Sequence, residues 1–209
     1  FDRVVDIKNA AKKFDVIGQM TAGQPFTLVM GSSWQPDEDI VIPYFNSHPG
    51  MKLIIAPHEF DADRLEALKS RITRPVELYS KATPQSAAGL DCLIIDCFGI
   101  LSSLYAYGQM AYVGGGFGAG IHNVNEAAVY GIPVVFGPKY GKFREAADLI
   151  ACGGGFSISD ADGFAAIMDR MTGSREELSH SGTIAGNYIK SHTGATDFIY
   201  STVFGSKHP

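Results

Sequence analysis

The chain has 209 residues, 45% hydrophobic and 19% charged. This is enough for one large or two small globular domains with a core that needs no staples, and it excludes a disordered chain. The formal net charge of −5, from 17 Lys+Arg against 22 Asp+Glu, argues against a duplex nucleic-acid binder, because phosphate contacts demand a basic excess. Three cysteines (Cys92, Cys97 and Cys152) without a C-x-x-C spacing argue against a disulfide framework and a zinc ribbon, and fit buried thiols in a reducing compartment.

The first 23 residues place Val5, Ile7, Ala10, Ala11, Phe14 and Ile17 at helical spacing, which predicts one or two short helices or a linker arm. The chain opens at Phe1-Asp2-Arg3 without a methionine and is expected to be a piece of a longer protein. After Gln24-Pro25, apolar runs recur. They are Phe26–Met30, Met51–Ala56, Val76–Tyr79, Asp91–Asp96, Met110–Val113 and Pro133–Phe136, with Gly155–Ile158 as a short, weak seventh. Most end at Gly, Pro or small polar residues. Helical patterns over Asp61–Ser70, Leu101–Tyr107, Val124–Tyr130, Phe143–Ala151 and Asp160–Met171 separate them, while Ser80–Leu90 carries no clear helix. Ser174–Phe204 reads as one more helix or a pair, packed back across the sheet edge. No apolar stretch approaches the ~18 residues of a membrane span, and none has a signal-peptide pattern. Alternating strands and helices, with near-continuous apolar strands, predict a doubly wound, Rossmann-like parallel α/β sheet of about six strands. The expected division is an arm over residues 1–23 and one domain over 24–209.

Ligands of open parallel sheets bind beyond the carboxyl ends of the strands. That rule selects Gly31-Ser32-Ser33-Trp34, Pro57-His58-Glu59, Asp96-Cys97-Phe98-Gly99, the stretch 114–126 and the stretch 137–143. In 114–126, five glycines in seven residues allow backbone N–H groups to approach a ligand, and the following helix would aim its N-terminus at the same point, which suits a phosphate. Two readings of Glu126 stand. It closes a capping box with Asn123, or it accepts hydrogen bonds from two ribose hydroxyls. Gly114-x-Gly116-x-x-Ala119 formally matches a dinucleotide fingerprint. It follows the fifth run rather than the first, however, and the position expected to carry the ribose-binding acid falls near Phe136. No P-loop is present. His58 and His122 either face the pocket or are solvent-facing loop residues, and no histidines pair at a metal-ligand spacing. Asp96 reads as an N-cap and Trp34 as a packing residue at a domain seam.

Taken together, Gly31-Ser32-Ser33-Trp34-x-x-Asp37-Glu38, Ala56-Pro57-His58, Asp96-x-Phe98-Gly99, Gly114-Gly115…His122-Asn123-x-x-Glu126 and Gly131-x-Pro133-x-x-x-Gly137-Pro138 resemble the 3-deoxy-D-manno-octulosonic acid (Kdo) transferase family. Lys142-Phe143 resembles the family's Asn-Phe after the Gly-Pro, and the opening Phe1–Val4 and the late Gly194-Ala195-Thr196-Asp197 resemble its flanks, so the likeness runs along nearly the whole chain. It implies the C-terminal lobe of a GT-B glycosyltransferase, the donor-binding half of an inverting enzyme that moves Kdo from CMP-Kdo to the lipid A precursor of Gram-negative lipopolysaccharide. It also implies no metal or other cofactor, no nucleic-acid partner, a general base and a membrane anchor in the absent N-terminal half, and a place on the cytoplasmic face of the inner membrane. No catalytic residue is expected in this chain, which is expected to be inactive alone.

By matching motifs, the implied nucleotide contacts are Pro57, His58, Cys97, Phe98, Gly99, Asn123, Val124, Asn125 and Glu126. The implied phosphate or donor loop comprises Ser32, Ser33, Gly114, Gly115, Gly116 and His122. Three positions depart from the family pattern. His58 stands for an arginine, so a permanent cation is lost or is supplied by Lys139 or Lys142. Ile100 stands for a glutamate, and Gly116 and Ile121 stand for a serine and a glycine. A UDP-sugar GT-B enzyme or epimerase, and a non-catalytic nucleotide-binding module, are the competing readings.

Overall fold

The computed structural model describes residues 1–23 and 25–194. Two short helices, α1 (Asp2–Asn9) and α2 (Asp15–Met20), precede strand β1 (Phe26–Ser33). The chain continues through α3 (Gln35–Ser47), β2 (Met51–Pro57), α4 (Ala62–Ser70), β3 (Val76–Leu78), α5 (Pro84–Ala87), β4 (Cys92–Ile94) and α6 (Leu101–Leu104) with a trailing 3₁₀ turn. It then forms β5 (Met110–Val113), α7 (Asn125–Ala128), β6 (Val134–Phe136), α8 (Arg144–Cys152), β7 (Gly155–Ser157), α9 (Ala161–Gly173) and α10 (Arg175–Ser191). The strands form one sheet in the order β3-β4-β2-β1-β5-β6-β7, with every pairing parallel.

Side chains alternate across this sheet, so each strand feeds two cores. Val29, Ile54, Leu93, Ala111, Val113, Val134 and Phe136 point to one face, where residues of α1, α2, α7, α8 and α10 cover them. Leu28, Met30, Leu53, Ile55, Ile94, Met110, Tyr112 and Val135 point to the other, under α3, α4 and α9. With both faces covered, strand residues are buried whichever way they point, which is why the runs read as continuously apolar.

The weak seventh run does form a strand, paired with β6 from Val134↔Gly155 to Phe136↔Ser157. Ser80–Leu90, expected to lack a helix, contains the one-turn α5, started by Pro84 and by Thr83, whose hydroxyl accepts the Ser86 N–H. Helix α3 was not expected at all, because Pro36 and Pro43 obscure it. Pro36 sits in the first turn, where its missing N–H costs nothing, and Val41, Ile42 and Phe45 bury the inner face. Of the expected C-terminal helix over Ser174–Phe204, α10 forms, packed against α7, α8 and α9. The part from Ala195 onward, including Ala195-Thr196-Asp197, lies outside the described residues. Residues 1–23 fold as α1 and α2 and bury Val4, Ile17 and Met20.

Candidate functional site

In chain order the sheet grows from β1 to β2 on one side and later resumes with β5 on the other. The carboxyl ends of β1 and β5 are therefore the topological switch point, where such sheets bind ligands. Ser32 marks it. Its φ of +52° is the only positive value at a non-glycine among the described residues, and the β1–β2 register slips between Gly31 and Ser33. The bulge turns the strand end and leaves local strain, as is frequent at functional sites.

The glycine loop is built on that bulge. A Cβ on Gly114 would stand 2.2 Å from the Ser32 carbonyl oxygen, and one on Gly116 would stand 2.6 Å from Gly137 Cα. These two glycines let backbone meet backbone, rather than backbone meet ligand. Most of the amides expected to face a phosphate are also occupied. Gly114 N–H donates to Gly31 O, Gly115 N–H to Asp37 Oδ2 (2.9 Å), Gly118 and Gly120 N–H to Gly115 O, Ile121 N–H to Lys139 O and His122 N–H to Gly114 O. Among the described residues the N–H groups of Gly116, Phe117, Asn123 and Val124 have no such partner.

Asp37 is the pin that sequence reasoning left in a motif without a role. It is 1% exposed. Its carboxylate accepts Trp34 N–H (3.0 Å) and Gly115 N–H through Oδ2, and Tyr112 OH (2.9 Å) through Oδ1. One side chain in the first turn of α3 thereby joins the ends of β1 and β5. Glu38, 0% exposed, accepts the Ser33 hydroxyl (2.9 Å) and Arg64 Nη2 on both oxygens (2.6 and 2.7 Å). Ser33 is thus committed to scaffold and does not offer its hydroxyl to a donor.

Three rings from three strand ends line the crevice. Trp34 and His58 lie 4.7 Å apart between centroids, His58 and His122 4.4 Å, and Trp34 Nε1 donates to His122 Nε2 at 3.4 Å. They border a cavity of about 490 Å³ together with Asp37, Gly115 and Phe117–Gly120. Trp34 is 38% exposed on this chain. Burial and the neighbouring His58 push the His122 pKa below its ordinary value, with Asp37 opposing. An unfolded chain therefore binds more protons in the window below ~6.5. Stability falls as pH drops through that window, and His122→Gln is expected to flatten this part of a denaturation-versus-pH curve. A curve of unchanged shape would refute the assignment.

Asn123, Val124 and Asn125 line, with His122 and Glu145, a second cavity of about 460 Å³ beside this crevice, and Glu126 follows them in α7. The capping box does not form. Val124 is the N-cap of a four-residue α7, and Asn123 Oδ1 accepts Asn125 N–H (3.0 Å). Asn123 Nδ2 donates to Glu126 Oε1 at 3.2 Å. Burial raises the Glu126 pKa, while the Asn123 amide and Arg3 lower it. Val124 is 2% exposed, so it offers backbone alone. Asn125 Oδ1 and Tyr130 OH are buried without a partner among the described residues, a cost that bound polar groups would offset.

On the β2–β4 side, Phe98 is 76% exposed and stacks on Phe60 with centroids 4.7 Å apart. Phe60 carried no sequence signal. Cys97 is partly buried, and burial raises its thiol pKa. Pro57 is buried in β2, opposite Ser33. Asp96, expected as an N-cap, instead binds Ser80 at the end of β3 through N–H and hydroxyl. Lys139 points Nζ at Gly118 O (2.9 Å) and so braces the glycine loop. Among the described residues no group of three His, Cys, Asp or Glu side chains is placed to hold a metal ion, and no helix is long and apolar enough to cross a membrane.

No family model matches the chain. It is 26% identical over 172 residues to the 3-deoxy-D-manno-octulosonic acid transferase of Aquifex aeolicus (strain VF5), covering 78% of this chain and 47% of that protein. It is 32% identical over 133 residues to the transferase of the same name from Chlamydophila psittaci, covering 61% of this chain and 30% of that protein. The chain is similar to Kdo transferases. It spans about half or less of the length of these curated relatives. The chain shares its fold with the C-terminal CMP-Kdo binding domain of WaaA from Acinetobacter baumannii. That match has a TM-score of 0.70 at 20% identity, over 91% of this chain and all of that one. It also shares its fold with Anabaena Alr3699/HepE in complex with UDP-glucose, with a TM-score of 0.63 at 15% identity, over 97% of this chain and 55% of that one. The expected doubly wound parallel α/β sheet is therefore the observed fold, shared with these two structures.

Proposed function

We propose that this chain is the donor-binding half of an inverting glycosyltransferase that moves Kdo from CMP-Kdo to the lipid A precursor. The observation that carries this reading is the similarity to a Kdo transferase across 78% of the chain. Groups of the right chemistry on the loops at the carboxyl edge of the sheet support it. Glu126, held by Asn123, offers a carboxylate to the two ribose hydroxyls. Phe98, backed by Phe60, offers a face on which a pyrimidine stacks. Gly116, Phe117, Asn123 and Val124 have unengaged amides for the phosphate, whose charge grows as the bond to Kdo breaks. The base that activates the acceptor hydroxyl comes from the rest of the enzyme. That remainder also supplies membrane contact at the cytoplasmic face of the inner membrane.

Calorimetric titration of the chain with CMP and with UDP tests the reading. CMP is expected to bind and to be preferred, while a clear UDP preference or no binding at millimolar CMP would overturn it. Glu126→Ala is expected to weaken CMP by about 1.5–3 kcal/mol, the range for a hydrogen bond to a charged group. Phe98→Ala is expected to weaken it by about 1–3 kcal/mol, the range for lost base stacking. Because Glu126 closes no capping box, melting should move little in either variant. A collapse in melting temperature with affinity retained per folded molecule would assign Glu126 to structure instead.

A further inference from the structure

We propose that His58 and His122 form a proton-gated anion site, in which the imidazole pair takes up one proton as it binds a phosphate or carboxylate of the donor. This rests on the donor-binding reading above only for the identity of the anion. Both rings line the same cavity at the switch point and lie 4.4 Å apart. His122 Nε2 accepts the indole N–H of Trp34, so in the empty crevice that nitrogen carries no proton. A proton on it has to displace Trp34, whereas a proton on His58 does not, so His58 is the first of the two to carry the charge.

The surrounding charges leave the imidazoles as the groups able to answer an anion. From α3, Asp37 faces His122, with its oxygens taken by Trp34, Gly115 and Tyr112. From the β2–α4 loop, Glu59 and Asp61 border the adjoining pocket with Trp34, and Asp61 caps α4. From α7 and α8 come the carboxylates of Glu126, paired with Asn123, and Glu145, which lines the neighbouring cavity with His122. Arg64 of α4 is bound by both oxygens of buried Glu38, and Lys139 points at the Gly118 carbonyl. An incoming anion thus meets cations that are already engaged, Arg64 and Lys139, and two imidazole rings able to take up a proton. An imidazolium held 4.4 Å from a second imidazole is disfavoured by itself and favoured by an anion that neutralises it.

The test uses the 209-residue chain with sulfate, whose charge is constant over the range, and with CMP in parallel. Sulfate is expected to bind several-fold tighter at about pH 5.5 than at about pH 7.5, because an imidazole pair carries more protons at the lower pH. Trp34, the single tryptophan, reports the proton because an adjacent imidazolium quenches its emission. Sulfate should move that quenching midpoint upward. His58→Gln and His122→Gln should each abolish the gain at low pH, and His58→Arg should bind sulfate equally at both pH values. Failure of sulfate to bind, equal binding at both pH values, or a gain that survives in both glutamine variants overturns the gate. CMP that does not bind while sulfate behaves as expected overturns the donor reading and leaves the gate standing. CMP binding with pH-independent sulfate does the reverse.

Discussion

Replacing Asp37 with alanine is expected to destabilise the chain by about 3–5 kcal/mol, the largest effect of any single polar residue at the crevice. The carboxylate is 1% exposed and accepts three hydrogen bonds, two from backbone N–H groups and one from a tyrosine hydroxyl. Each buried donor left without a partner costs about 1–3 kcal/mol, and limited relaxation keeps the total below the full sum. Asp37→Asn should cost less, because its amide oxygen can accept both backbone N–H groups in place of Oδ2 while its NH₂ donates to the Tyr112 hydroxyl, which can accept as well as donate. Tyr112→Phe removes one donor and leaves two bonds intact, so about 1 kcal/mol is expected. Urea denaturation of the three variants gives the comparison, and a loss under ~1 kcal/mol for Asp37→Ala would remove Asp37 from its place as the pin. CMP affinity per folded molecule should also fall for Asp37→Ala, since Gly115 would no longer be tied to α3.

Gly114→Ala is expected to cost about 3 kcal/mol or more and to yield mostly unfolded protein. The new Cβ would meet Ser32 O at 2.2 Å and Ser32 C and Ser33 Cα at 2.8 Å, all backbone atoms. β1 is hydrogen-bonded to β2 and β5 on its two sides, so it has nowhere to retreat. Gly118→Ala is the control. Its Cβ would lie 3.6 Å from Gly115 O, an ordinary contact, so a change within about 1 kcal/mol is expected. If both variants fold alike and lose CMP equally, the glycines serve the ligand, and the backbone-packing account of Gly114 fails.

These two expectations mark the point where reading by residue type stops. Five glycines in a short loop suggested amides free for a phosphate. In the fold, Gly114 and Gly116 allow three strand ends to touch, and six amides of the loop are spent on protein acceptors. Sequence pattern carries no information on which carbonyl lies across from a given glycine. The same gap hid Asp37 and Glu38. Their motif was visible, but an acid after Pro36 looks the same whether it caps a helix or holds a distant loop. Glu126 was visible as a candidate, but its partner is the Asn123 side chain and not the Asn123 backbone N–H.

What the amino-acid order determined by itself was the layered α/β class and the position of each apolar strand within a residue or a few. It also placed the candidate loops at the carboxyl edge. Those follow from local physics, because apolar runs bounded by Gly and Pro can satisfy their backbone only as buried strands and need helices to cover both faces. The tertiary structure alone decided helix α3 with its two prolines, the Phe60–Phe98 stack and the meeting of Trp34, His58 and His122. These depend on strand order. Parallel strands deliver their carboxyl ends to one edge, and the reversal between β1 and β5 selects which loops share a crevice. That choice is made by packing of the whole sheet and not by any window of sequence.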